Sequence, residues 1–360
     1  MTIDMMKHGW AAKFCQAFRV FVFLPFYFFT LLPLLSGCSV IDEDQSDCGQ
    51  KVWLYYDLQL VTNLSIELQK QLDRRDDVSV KKALRDYLSR IFNDYGHDLD
   101  LSFYDIKGNS SRLHHEQHIM DANLLGLSPY LSSGQYMHTA LANLENNQVA
   151  ILEGENYCHS ASLLQLQGDT VSTHKTGLFT ARQMMQLNEG VDQVFYVHLY
   201  MANCAAALVL DTSEATFSDM NVVASGFASR FEIADSSFVF AERTPVVKAD
   251  KIETGKDGQM CFCTVNFPSR DVNNTRIVIE TEDPFVSDNA DEALWQMIVY
   301  ATLPDGKVTQ TLLGITKPLR AGQLKIIRCK VKDDGSLVPE DSEVSTSVTL
   351  DWKEGLIIEN

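Results

Sequence analysis

An uncharged apolar run from Val20 to Leu35 ends in Leu35-Ser36-Gly37-Cys38, and Lys7, Lys13 and Arg19 precede it. A basic start, an apolar stretch and small residues before a cysteine make a secretory leader, and its last four residues form a lipobox. The run is about the minimum length for a membrane span, and Pro25 and Pro33 interrupt it, which disfavours a spanning helix. Cleavage ahead of Cys38 removes residues 1–37 from the fold. Acylation of Cys38 then ties the remainder to a membrane, each buried methylene contributing about 0.8 kcal/mol.

Removing 37 of 360 residues leaves 323, enough for about two domains with their own cores. The leader carries three basic residues and one acidic residue, so the formal charge moves from −18 to −20 on its loss. A surface of that sign repels phosphate backbones, so nucleic acid is not an expected partner. Beyond Cys15 and Cys38 the chain holds Cys48, Cys158, Cys204, Cys261, Cys263 and Cys329. Six cysteines in an exported chain allow 15 full pairings, and no spacing resembles a zinc framework. Cys261 and Cys263 stand two apart in an apolar run, where buried thiols are the expected state.

The residues after Cys38 are acidic, with Asp42, Glu43, Asp44 and Asp47, and read as a solvated tether over 38–47. Folded structure is expected from Cys48. Lys51 to Val61 is rich in aromatic and branched residues and predicts a strand. Val80, Ala83, Leu84, Tyr87, Leu88 and Ile91 then follow helical spacing. Ser79 is the expected N-cap, and Asn93 and Gly96 are the expected stop signals. Ser65 to Leu72 suggests an earlier helical segment. Strands are expected at Asp98 to Tyr104, Leu113 to Met120, Gln135 to Leu144, Val194 to Tyr200, Ala205 to Leu210, Ser237 to Phe240 and Gln259 to Phe267. More follow at Arg276 to Glu280, Trp295 to Leu303, Val308 to Leu313, Leu324 to Val331 and Val344 to Trp352. Lys107-Gly108-Asn109, Pro304-Asp305-Gly306 and Asp333-Asp334-Gly335 supply turns. Leu178 to Leu187 reads as irregular or weakly helical. Many short strands with turn signals argue for β-sandwiches. The layout expected is a sandwich with a helical insertion over 48–195 and a second sandwich over 196–360.

The chemistry-bearing motifs are sparse. His114, His115, Glu116 and His118 make the densest ligand-like group. On a strand His114 and His118 share a face but stand about 13 Å apart, too far for one metal, so an exposed polar edge is the expected reading. The carboxylates Glu280, Glu282, Asp283, Asp288, Asp291 and Glu292 lack a calcium-loop pattern and read as a solvated loop. No nucleophile elbow, zinc-protease helix, phosphate loop or dinucleotide fingerprint occurs. No enzyme activity, cofactor or metal is expected. Exposed aromatics drawn from Trp53, Trp295, Trp352 and Tyr130 would serve an alternative role, glycan binding beside a nutrient importer. Positions within strands favour core packing for at least three of them.

Four motifs in order carry a family resemblance. Asp47-Cys48 leads into Val52-Trp53-Leu54-Tyr55-Tyr56. Gly134-Gln135-Tyr136 opens a strand that ends at Ala142-Asn143. Gly177-Leu178-Phe179-Thr180 precedes the second strand block. Leu319-Arg320-Ala321-Gly322, Asp334-Gly335 and Leu350-Asp351-Trp352-Lys353-Glu354-Gly355 close the chain. In this order, over nearly all of residues 38–360, the chain resembles the FimB-like fimbrial anchor lipoproteins of Bacteroidales. The tether also resembles the acidic export tag of Bacteroidetes surface lipoproteins, and Asp169-Thr170-Val171 resembles their O-glycosylation tripeptide. The family resemblance implies two transthyretin-like β-sandwich domains and attachment to the outer membrane. It further implies a membrane-proximal place in a fimbrium, with pilin subunits as partners. Sandwich edges need partners, and pilus subunits meet that need by exchanging strands. Val344, Thr346, Val348, Leu350 and Trp352 mark one face of the candidate pairing strand; the other possibility is that this strand only completes its own sandwich.

Overall fold

The structure is a computed structural model and describes residues 51–61, 70–72, 78–92, 98–106, 112–119, 126–144, 147, 149–152, 163–168, 170–233, 236–241, 244–271, 277–279 and 293–352. The lipobox residues Leu35, Ser36, Gly37 and Cys38, the tether, Cys48, Cys158, Asn93, Gly96, the turn at Lys107 and the carboxylates from Glu280 to Glu292 lie outside the described residues.

In chain order the elements begin with β1 (Lys51–Val61), α1 (Val78–Phe92), β2 (Asp98–Asp105), β3 (Arg112–Ile119), β4 (Gly126–Leu127), β5 (Tyr130–Ser132), β6 (Gly134–Ala142), β7 (Val149–Leu152) and β8 (Leu163–Leu166). Next come β9 (Thr170–Ser172), β10 (Phe179–Leu187), β11 (Gln193–Met201), β12 (Cys204–Asp211), β13 (Asp219–Ser225), β14 (Arg230–Glu232), β15 (Ser237–Phe240) and β16 (Val246–Lys248). The chain continues through β17 (Asp250–Ile252), β18 (Gln259–Asn266), β19 (Ile277–Ile279), β20 (Trp295–Thr302), β21 (Val308–Ile315), β22 (Leu324–Val331), β23 (Leu337–Pro339) and β24 (Val344–Trp352). The fold is mainly β, as the strand-and-turn pattern predicts.

The strands form sandwich-like layers. An eight-stranded sheet runs β3-β2-β6-β10-β11-β1-β4, with β5 also on β1. A five-stranded sheet runs β17-β18-β12-β22-β23, and a six-stranded sheet runs β24-β21-β20-β13-β16-β9. A small sheet, β19-β15-β14-β8-β7, completes the set among the described residues.

Strand β12 explains how the layers hold together. Its sequence is a continuous apolar run, and every residue from Cys204 to Leu210 is buried. Ala205, Ala207 and Val209 pack in one core with α1 and the inner face of the eight-stranded sheet. Cys204, Ala206, Leu208 and Leu210 pack in a second core with Met220, Val222, Trp295, Met297 and Leu313. The five-stranded sheet is thus covered on both faces, which is why its central strand does not alternate with polar residues.

The helix sits in the first core. Val80, Leu84, Leu88 and Ile91 recur at helical spacing and are buried, with Ala83 and Tyr87 packed beside them. The helix begins at Val78, so Ser79 lies inside its first turn rather than at the N-cap position. At its far end the Ile91 carbonyl accepts a hydrogen bond from Gly177 N at 2.8 Å, which satisfies one of the carbonyls a helix end leaves open. Of the earlier segment, residues 70–72 are helical, and Leu72 is buried in the same core.

The structure also corrects a secondary-structure expectation further along the chain. Phe179 to Leu187 forms strand β10, paired with β6 along all nine residues, not an irregular or weakly helical segment. Phe179, Ala181, Met185 and Leu187 face the core, while Arg182, Met184 and Gln186 are exposed. The period is two, but Met, Gln, Arg and Leu are also good helix formers, and long-range pairing overrides that local preference. The expected boundary between 195 and 196 falls inside β11, which lies between β10 and β1 in the eight-stranded sheet.

Candidate functional site

The candidate pairing strand, β24, ends the six-stranded sheet and is bonded to β21 from Val344↔Ile315 to Trp352↔Val308. Its outer edge carries no strand among the described residues. In antiparallel sheets directly opposed residues share a face, so Val344, Thr346 and Val348 stand on the same side as Ile315, Leu313 and Thr311, all three buried. Val344 is buried with them, but Thr346, Val348 and Leu350 are exposed. The strand therefore continues past the end of the core it began on. The start of β24 is pinned by charge. Lys325 meets Asp341 at 2.8 Å and Glu343 at 3.6 Å, and Lys317 pairs with Glu343. The hydrogen bond from Lys325 holds the Asp341 carboxyl below its ordinary range.

Strand β3 ends the eight-stranded sheet and carries the histidine group. It is an edge strand, as expected. Glu116 joins both same-face neighbours: His114 Nε2 lies 2.5 Å from Oε1 and His118 Nε2 lies 2.8 Å from Oε2. Burial works against the Glu116 charge, but the hydrogen bonds to His114 and His118 outweigh it and hold the carboxyl below its usual range. On the opposite face His115 and Gln117 both reach Asp100 Oδ2, at 2.8 and 3.0 Å. These contacts zip an edge strand to its neighbour. Among the described residues no group of three or more His, Cys, Asp or Glu side chains is placed to hold a metal ion.

The aromatics divide. Trp295 is buried, donates Nε1–H to the Lys317 carbonyl at 2.9 Å and packs on Phe227. Trp53 and Tyr130 do not enter the core: both are about half exposed, with ring centroids 4.9 Å apart. Trp352 closes β24, and its side chain is outside what is described. Thr170 is exposed on edge strand β9, while Val171 beside it is buried.

Two of the four resemblance motifs meet in space. Asn143, in the left-handed region with φ of 68°, follows β6 directly and donates Nδ2–H to the Gly177 carbonyl at 2.8 Å. The same Gly177 caps α1 through its N–H, so both motifs secure the junction of helix, β6 and β10. Their role is structural.

No family model matches the chain, and no curated protein matches it. Solved structures do. The chain is similar to a candidate adhesin from Bacteroides ovatus, at 10% identity, 89% of this chain, 99% of that one and a TM-score of 0.49. It is similar to a candidate adhesin from Bacteroides thetaiotaomicron, at 8% identity, 84% and 98% coverage and a TM-score of 0.48. It is also similar to the fimbrial anchor protein Mfa2 from Porphyromonas gingivalis, at 12% identity, 84% and 99% coverage and a TM-score of 0.46. The overlays span most of each chain, at TM-scores below 0.5.

Proposed function

We propose that the chain is an outer-membrane lipoprotein acting as anchor or accessory subunit of a fimbrium, a structural protein rather than an enzyme. Lipids on Cys38 hold it at the surface, and a pilin subunit pairs with β24. The observation that carries this reading is the state of β24 itself. A nine-residue strand whose outer edge carries no strand among the described residues, with Val348 and Leu350 exposed, is the arrangement that invites strand addition. The lipobox at Leu35-Ser36-Gly37-Cys38 supplies the fixed end that an anchor needs. We retain two sandwich modules over 48–195 and 196–360 as part of the proposal, with the five-stranded sheet serving both cores.

The test replaces Val348 and Leu350 together by lysine. Both side chains are exposed, so stability should shift by no more than about 0.5 kcal/mol. Co-purification of pilin with the chain should be lost. Retained pilin in a folded double variant refutes strand pairing at β24.

A second reading, a glycan-binding surface lipoprotein, rests on the exposed Trp53–Tyr130 pair. Affinity electrophoresis in polysaccharide gels separates the two: retardation that disappears in Trp53→Ala favours glycan binding.

A further inference from the structure

On the outer face of the eight-stranded sheet, β1 and β11 expose large apolar side chains. Parallel pairing sets Tyr55 beside Val194 and Asp57 beside Tyr196, so alternate residues of both strands share this side. Trp53, Tyr55, Tyr130, Val194, Tyr196 and Tyr200 are exposed to between 46% and 60%. Their opposite numbers, Val52, Leu54, Val197, Leu199 and Met201, fill the first core, so folding does not require large apolar groups on the outside as well. A continuous exposed patch of this kind marks a surface that meets something other than water.

Two observations select the occupant. The first is charge. In a chain of formal charge −18, the charged side chains described on this face include two carboxylates, Asp57 on β1 and Asp192 just ahead of β11, whose Oδ1 accepts from Trp53 N at 3.3 Å, and exposed Arg182 on neighbouring β10. The formal charges of these three sum to −1, so this face meets less repulsion at a headgroup layer than the rest of the surface would. The second is tether length. Cys38 and Lys51 stand 13 positions apart, and a chain of that length reaches about 45 Å at most. β1 is the first described strand after Cys38, and Trp53 is its third residue.

We propose that this face, centred on Trp53, Tyr55 and Tyr196, seats on the lipid surface to which Cys38 is bound. Trp and Tyr have apolar bodies and polar tips, which is why they collect where acyl chains meet headgroups. The inference rests on the lipid-anchor reading. Short tethering makes the contact intramolecular, with an effective concentration in the millimolar range, so a face too weak to bind from solution still docks. Seating would fix the molecule's tilt and aim β24 in a constant direction.

The test uses the chain from Cys38 onward, which keeps every described residue, with an N-terminal histidine tag on nickel-chelating lipids in phosphatidylcholine vesicles. In a Trp352→Phe background, brominated acyl chains should quench tryptophan emission, and most of that quenching should vanish on adding Trp53→Phe, leaving buried Trp295 as background. Tyr55→Ser with Tyr196→Ser should reduce the quenching while Trp53 remains. Equal quenching with and without Trp53→Phe overturns the proposal. So does a Trp53 that stays unquenched on vesicles but changes emission with soluble polysaccharide or pilin. The anchor is read separately, from the mass of the Cys38 peptide isolated from native membranes. An unmodified thiol there overturns anchor and seat together, whereas a lipidated Cys38 with an unquenched Trp53 overturns the seat alone.

Discussion

The Tyr87 hydroxyl donates to Asp250 Oδ2 at 2.8 Å, joining the helix to strand β17 across 163 positions of sequence. Lys175 reaches the same carboxylate oxygen from a third segment. Burial, the neighbouring Cys263 thiol and the Asp250 charge all push the Tyr87 hydroxyl up, so it remains a donor at any physiological pH. Helix, loop and five-stranded sheet are thereby tied at one point on the edge of the first core.

Tyr87→Phe removes this bond but leaves Asp250 its lysine. The expected loss is about 1 kcal/mol in urea unfolding. Leu88→Ala, one residue on and fully buried, should cost about 2–5 kcal/mol through the cavity it leaves. A Tyr87 variant that loses as much as the Leu88 variant would show that the polar tie, not the apolar stripe, holds the helix.

Acid should weaken the fold. His138 and His174 are fully buried, and burial pulls both down to about 3 from 6.5; His138 donates Nδ1–H to the Ser102 carbonyl, which opposes the shift without cancelling it. Between those values the unfolded chain binds a proton at each histidine that the folded chain does not. Stability therefore falls as pH drops from 6.5 towards 3, by up to about 1.4 kcal/mol per pH unit for each histidine. Urea midpoints taken across that range check the slope, which should flatten in His138→Gln.

Gly226 lies at φ of 90°, and a Cβ there would come within 2.7 Å of the Trp295 backbone Cα and 3.0 Å of the Leu294 carbonyl oxygen. Neither neighbour is a flexible side chain. Gly226→Ala should cost more than about 1 kcal/mol and lower the midpoint of thermal unfolding. Gly255, also at positive φ but with open space around it, provides the comparison: its alanine variant carries the backbone strain alone.

The thiols of Cys204, Cys261, Cys263 and Cys329 are buried. Burial pushes Cys204 and Cys263 well up, and Cys329 to about 12. Thiolate is the reactive form, so these positions should resist an aromatic disulfide reagent in the folded chain and react on unfolding. Peptide mapping after labelling with and without urea gives the answer site by site; rapid labelling of any of the four while folded contradicts it.

Legibility in the sequence followed locality. The helix was readable because Val80, Leu84, Leu88 and Ile91 repeat within one segment. Most long strands were readable from alternation or continuous apolar runs. Shorter strands such as β14 and β17, with three residues each, carry too little pattern to register, and β10 was hidden by residues that suit a helix equally well. For the candidate site, β24 was legible as a strand, yet nothing local says that its core ends after Val344.

The amino-acid order alone determined the amphipathic helix, the buried character of Cys261 and Cys263, and a mainly β chain. Only the tertiary structure decided that β12 serves two cores, that Asn143 and Gly177 meet, and that Trp53 faces outward while Trp295 is enclosed. The reason is physical. A repeat of two or 3.6 residues divides an element into faces, but which face is covered depends on a partner far along the chain, and that choice is made by packing.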